Sequence, residues 1–221
     1  MRNYFDKKWI YFIILCMEIN VIKSRFMRGV FEQNTYVLLS KKQALIIDAG
    51  ADLEDVKQAV GNRKVQAILM THLHFDHFWY LEEYLKEFEC PVYIQEGAEN
   101  KFTDSELNGA ILVRKTIIKN IDKSQIKYYE NRLKLGNFDC DIIKTPGHTA
   151  DSVCILINDN LFTGDTIFLD TIGRIDLGDS SRQDMINSLR KIQELDFVTA
   201  YPGHYESASK NQIIKTIGFY L

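Results

Sequence analysis

Every histidine in this chain stands just past the end of an apolar, strand-like run. His72, His74 and His77 follow AILMT (Ala67 to Thr71), His148 follows CDIIKT (Cys140 to Thr145), and His204 follows FVTAYPG (Phe197 to Gly203). Asp165 closes a further run, NLFTGD, in the same way. Groups placed at the carboxyl ends of several strands converge on one edge of a sheet, the usual position of a site in open α/β architectures. This regularity limits the fold more than any other feature of the sequence.

The rest of the chain agrees with it. YVLL (Tyr36 to Leu39) and ALIID (Ala44 to Asp48) read as short strands about a Ser40-Lys41-Lys42 turn. Leu53, Val56 and Val60 recur at helical spacing and stop at Gly61; Phe78, Leu81, Leu85 and Phe88 predict a second helix over Phe78 to Glu89. PVYI (Pro91 to Ile94) and SVCILI (Ser152 to Ile157) are further strands, and Arg182 to Leu195 is amphipathic, with Met185, Leu189 and Ile192 on one face. Glu96 to Lys134 carries no clear period and reads as helical pieces and loops. Strands and helices in this order predict an α/β layered domain.

Composition narrows the function. With 221 residues, 46% hydrophobic and 26% charged, the chain suits one well-packed domain. A net charge of −3 with no basic stripe argues against a nucleic-acid partner. Cys16, Cys90, Cys140 and Cys154 form no C-x-x-C pair and read as small buried thiols in a reducing, cytoplasmic setting. Trp9 to Met17 is apolar but too short to span a membrane, and no small-residue cleavage site follows it. Residues 1–16 are therefore read as an extension ahead of a hydrolase domain over 17–221, with MEINVIKSRF as the opening strand; membrane association through residues 9–17 is the lesser alternative. A small-molecule substrate is expected, and a homodimer is admissible.

The histidines also carry a chemistry. His72 and His74 lie two apart, so in an extended segment both imidazoles project to one side, while Asp76 and His77 sit where a helix begins. Divalent metals such as zinc accept imidazole nitrogen and carboxylate oxygen, and a catalytic site leaves a position for water. His72, His74, Asp76, His77, His148, Asp165 and His204 are too many for one tetrahedral ion and suit two. Two ions about 3.5–4 Å apart can share a hydroxide whose pKa falls from about 15.7 to about 7. Asp165 is the natural acidic bridge. Singly, any one histidine would be read as a satisfied surface or core residue; HxHxDH as a group would not.

Taken together, IIDAG (Ile46 to Gly50), THLHFDH, TPGHTADSVC (Thr145 to Cys154), FTGDTIF (Phe162 to Phe168) and YPGH (Tyr201 to His204) resemble the metallo-β-lactamase superfamily over most of the chain. The resemblance implies a four-layer αβ/βα sandwich. It implies one metal on His72, His74 and His148, a second on Asp76, His77 and His204, and Asp165 between them. GDTIF followed by IGRIDL (Ile172 to Leu177) is similar to glyoxalase II-like hydrolases and their persulfide dioxygenase relatives. True lactamases usually carry Cys where Asp165 stands, and flavodiiron proteins an acidic residue where His74 stands, so neither is expected.

Those likenesses imply a thioester or related acyl hydrolase working through a hydroxide bridged by two divalent ions, zinc first, iron or manganese otherwise, with Asp76 orienting the hydroxide. The alternatives are a persulfide dioxygenase with a single iron on His72, His148 and Asp165, a lactone hydrolase, and a non-catalytic metal-dependent scaffold. Arg174 and Asp176 stand where glyoxalase II uses a Lys and a Tyr for glutathione. Arg174 is thus expected either to hold a substrate carboxylate by a forked pair of hydrogen bonds or to pair with Asp176. The chain ends at Leu221, where glyoxalase II continues into a helical glutathione-binding domain, and Phe78-Trp79-Tyr80 replaces the Gly-Gly common in relatives. Phe78 is expected in the core; Trp79 and Tyr80 are candidates for the pocket wall or a partner surface, with helix packing the plainer role for at least one.

Overall fold

Strands buried on both faces dictate the layering. From Tyr36 to Leu39 every residue is buried, yet Val37 and Leu39 enter one hydrophobic cluster while Tyr36 and Leu38 enter another. The next strand splits likewise, Ala44 and Ile46 to one side, Leu45 and Ile47 to the other. Because side chains alternate along a strand, such a sheet must be covered on both sides.

The computed structural model describes residues 17–25, 32–117 and 119–221. The expectations for residues 1–16, Cys16 among them, lie outside the described residues. The first sheet runs in the order β1 (Glu18–Lys23), β2 (Asn34–Ser40), β3 (Gln43–Ile47), β4 (Lys64–Leu69), β5 (Val92–Ile94), β6 (Ile126–Tyr128). It is antiparallel from β1 to β3 and parallel from β3 to β6. The second sheet takes the order β12 (Ala208–Ser209), β11 (Thr199–Pro202), β10 (Asn160–Gly164), β9 (Val153–Ile157), β8 (Phe138–Lys144), β7 (Arg132–Leu135). β10 and β11 pair in parallel and the other neighbours antiparallel.

Tyr36, Leu38 and Leu69 of the first sheet meet Phe138, Val153, Ile155 and Phe162 of the second in a central core. Helices α1 (Leu53–Val60) and α2 (Leu81–Phe88) pack on the outer face of the first sheet, through Val56, Val60, Leu81 and Leu85. Helices α3 (Arg182–Glu194) and α4 (Lys210–Ile217) cover the second, through Met185, Leu189, Ile192, Ile213 and Ile217. The result is the expected αβ/βα sandwich.

Three local readings change. The helix expected to open at Phe78 opens only at Leu81. The preceding turn is spent on the backbone of Ala49, whose N–H donates to His77 O (2.6 Å) and whose carbonyl accepts from Tyr80 N–H (2.8 Å). Phe78 still enters the core as expected, fully buried and edge-on to Phe102, a burial that contributes about 1.5–3 kcal/mol. The unreadable stretch contains two 3-10 turns, Glu99–Phe102 and Ala110–Val113, and the edge strands β6 and β7. Half-exposed edge strands of three or four residues leave little periodicity to detect. The C-terminal helix α4 has no counterpart in the sequence reading, although Gln212 accepts from the Ser209 N–H in a capping arrangement. Cys90, Cys140 and Cys154 are free and buried, as expected.

Candidate metal centre

The two sheets are tied together at one edge, where Val153 N–H donates to Thr71 O (2.8 Å) and Asn34 N–H donates to Gly203 O (2.7 Å). The loops that leave β4, β8, β10 and β11 open there. They bring together all seven residues that the sequence singles out.

Three imidazole nitrogens converge on one point. His74 Nδ1 lies 3.2 Å from His72 Nε2 and 2.9 Å from His148 Nε2. Beside them, Asp76 Oδ2 lies 3.2 Å from His204 Nε2, with His77 in the same group. Asp165 stands between the two halves: its Oδ2 is 3.6 Å from His148 Nε2 and 3.5 Å from His204 Nε2. The donor atoms within each of the groups His72–His74–His148, His72–His77–Asp165 and Asp76–His77–His204 lie within 4.8 Å of one another.

The far side of four of the five rings is held as well, which fixes the nitrogen each of them turns to the centre. His148 Nδ1–H donates to Arg174 O (2.9 Å), and His204 Nδ1–H to Glu32 O (3.1 Å). His77 Nδ1–H donates to Asp48 Oδ2 (2.8 Å). Thr71 Oγ1 donates to Asp48 Oδ2 (2.9 Å), so it accepts from His72 Nδ1–H (3.2 Å). These bonds turn the Nε2 lone pairs of His72, His77, His148 and His204 inward, the arrangement that metal-ligating histidines require.

Asp48 is the site residue the sequence reading missed. It closes the run ALIID (Ala44 to Asp48) and so obeys the regularity that exposes the others, a polar side chain at a strand end. Its positive φ of 59° turns it off β3 toward the centre.

The electrostatics of the centre suits a cation. Burial, helped by the neighbouring imidazoles, holds His72 and His74 well below the ordinary histidine pKa, so both are neutral donors. Burial opposes charge on His77 and His204 too, but Asp48, Asp165 and Asp76 outweigh it for His77, as Asp165 and Asp76 do for His204, and raise both. Burial likewise opposes ionisation of Asp165, yet His204, His77 and His148 hold its carboxyl below the usual range. The same carboxylates that raise His77 and His204 would favour a cation bound between them. His77 Nε2 and Asp165 Oδ1 lie 3.3 Å apart but are not aligned to bond, and both are buried with no hydrogen-bond partner. Two orphaned polar atoms buried side by side are what a metal ion would satisfy. The residues present therefore fit two divalent ions.

The centre forms the floor of a cavity of about 340 Å³. Its walls are Phe168, Ile172, Leu177 and Leu112, with Tyr205 and Arg174 at the mouth. Arg174 Nε and Nη2 each lie 2.9 Å from the Asp176 carboxylate, so the ion pair is formed. Trp79 and Tyr80 do not line this cavity. They pack partly buried against the outer core, Trp79 edge-on to Phe75 and Tyr80 donating to Asp52 Oδ1 (3.0 Å). Among the described residues, no helix is long and apolar enough to cross a membrane.

Comparison with known proteins agrees with this geometry. The chain is 34% identical over 194 residues to the probable metallo-hydrolase MJ0888 of Methanocaldococcus jannaschii, covering 80% of this chain and 89% of the relative. It is 30% identical over 167 residues to the probable metallo-hydrolase YqgX of Bacillus subtilis, covering 74% and 79%. The crystal structure of BLEG-1 B3 metallo-beta-lactamase superposes with a TM-score of 0.82 at 28% identity, covering 92% of this chain and 99% of that one. The sequence profile of the metallo-beta-lactamase superfamily matches residues 28–204, a span that holds every residue of the centre. The chain belongs to that superfamily, and its site is that of a metal-dependent hydrolase.

Proposed function

We propose that the protein hydrolyses an acyl compound, a thioester first, at a pair of divalent ions, zinc by preference. The observation that carries the dinuclear reading is the position of Asp165, with one oxygen at 3.5–3.6 Å from a nitrogen of each half and the other orphaned beside His77. His72, His74 and His148 would hold one ion, and Asp76, His77 and His204 the other. Bound there, the pair would supply a water of lowered pKa and a Lewis acid for the acyl oxygen.

The chain's own residues do the rest. Asp76, ionised because His77 and His204 outweigh its burial, orients the water and accepts its hydrogen bond. Phe168, Ile172 and Leu177 exclude bulk water and receive the apolar part of the acyl group. Arg174 can take a substrate carboxylate by exchanging it for Asp176. That pair is largely exposed, at 57% and 67%, and an exposed pair contributes only about 0–1 kcal/mol. The motifs GDTIF and IGRIDL support the thioester over other acyl compounds, by their similarity to glyoxalase II-like enzymes. A second reading, opening of a β-lactam amide, is supported by the similarity to BLEG-1 along its whole length.

Metal analysis of the native protein, followed by assay against thioester, lactone, β-lactam and persulfide substrates, tests the proposal. Thioester hydrolysis with two ions per chain is the expected result, and Asp165→Ala should abolish both tight binding of the pair and turnover. Turnover retained in Asp165→Ala would refute the bridge. Oxygen uptake with a persulfide and no thioester hydrolysis would replace the hydrolase with a single-iron dioxygenase.

A further inference from the structure

Lys101 lies in the 3-10 turn Glu99–Phe102, outside the ligand set, and is only 4% exposed. A buried ammonium is tolerated only where it is fully paired. Here Nζ donates to Asp151 Oδ1 (2.6 Å) and forms an ion pair with Asp179 Oδ2 (2.7 Å). Each carboxylate is also engaged with backbone. Asp151 Oδ2 accepts from Leu73 N–H (2.9 Å), the residue between His72 and His74. Asp179 Oδ2 accepts from Ala150 N–H (3.1 Å), two residues past His148. One cation thus clamps, through two anions, the loops that bring His72 and His74 from the first sheet and His148 from the second.

A second set of contacts acts on the same loop. Asn108 O accepts from Phe75 N–H (2.9 Å), while its side-chain amide donates back to Lys101 O (2.9 Å). Gly109 follows at φ +76°, and a Cβ there would stand 3.4 Å from the His74 ring. The segment from Lys101 to Gly109 therefore lies against His74 as a strap whose anchor is the lysine.

The other half of the centre is held differently. His77 is fixed by Asp48 and His204 by Glu32 O, and neither bond involves Lys101, Asp151 or Asp179. Charged clusters of this kind are often no more stabilising than apolar residues of the same size, and their best-attested use is to specify one arrangement. From this asymmetry we infer that Lys101 is a positioning residue for the three-histidine half alone, setting its affinity for metal while leaving the Asp76–His77–His204 half unaffected. The inference rests on the reading of the two halves as metal sites.

The test uses the full chain, zinc as probe, and two backgrounds that each leave one half intact. In His204→Ala the surviving ion sits at the three-histidine half; in His148→Ala it sits at the other. Competition titration against a chromophoric chelator gives the zinc affinity of each, with and without Lys101→Met. Weakening of about 10–100-fold is expected in the His204→Ala background, the usual cost of losing a supporting contact, with no change in the His148→Ala background. A merely structural lysine would lower both affinities alike, or neither, and either result overturns the inference. Where Lys101→Met does not fold, Asp179→Asn is read by the same criterion. Zinc uptake by the parent backgrounds with indifference to the lysine would sink this inference alone; no zinc uptake by the wild-type chain would sink the metal-centre reading and this inference with it.

Discussion

Replacing Asp48 by Asn probes the support of the centre without touching a ligand. The carboxylate accepts from His77 Nδ1–H (2.8 Å), Thr71 N–H (2.8 Å) and Thr71 Oγ1–H (2.9 Å), all buried. An amide of the same shape has one oxygen to share among these donors and turns its NH2 toward the rest. At about 1.5–3 kcal/mol for each lost hydrogen bond to a charged group, one or two losses, according to which way the amide turns, amount to about 1.5–6 kcal/mol of folding stability. Breaking a buried ion pair gives a similar figure, about 3–5 kcal/mol. Chelator-treated protein should therefore unfold at markedly lower urea concentration in Asp48→Asn than in the parent. The same change frees the His77 ring, and zinc affinity should fall about 10–100-fold. A metal-free variant within about 0.5 kcal/mol of the parent, the range of an inconsequential surface change, and with undiminished zinc affinity, would show that Asp48 does not orient His77.

Other consequences can be checked in the same protein. In the metal-free chain, His72 and His74 resist protonation, so stability should fall as pH drops below about 6.5, where the unfolded chain takes up protons that the folded site refuses. His77 is raised, so its contribution is fully present below that value and is lost as pH rises through its folded pKa; His77→Gln should flatten the alkaline side of a urea-midpoint profile, and an unchanged slope there would contradict the assignment. Gly203→Ala would drive a Cβ into Asp165 Oδ1 and set it 2.6 Å from His77 Cε1; overpacking of about 1–3 kcal/mol should appear in thermal melts together with a reduced metal content. Trp79→Ala should lower stability by about 0.5–3 kcal/mol while leaving substrate preference unchanged, since the ring lies outside the cavity; an altered ranking across the substrate panel would return it to the pocket wall.

The sequence by itself exposed the seven candidate ligands and much of the layering. Strand-end histidines and Gly turns are local signals, and the short apolar runs YVLL and ALIID about a turn mark two strands in the residues alone. The strand that delivers THLHFDH was legible because its apolar run ends abruptly in polar groups. The edge strands β6 and β7 were not, being short and half exposed, and the Phe78 helix was misjudged by one turn because Ala49, distant in sequence, claims its first backbone groups.

Only the tertiary structure decided how the ligands divide and what steadies them. Spacing says that His72 and His148 are potential donors; it cannot say that their nitrogens meet at His74 Nδ1, since that depends on two loops from different sheets meeting at one edge. Asp48 and Lys101 act through partners 29 and 50 residues away in the chain, so no local pattern marks them. The aromatic run after the histidines is the clearest case. By sequence, Phe78 belongs in the core and Trp79 and Tyr80 are open to a pocket wall, a partner surface or helix packing; the structure places Phe78 in the core and Trp79 and Tyr80 against the outer core, and the cavity wall is built from Phe168, Ile172 and Leu177.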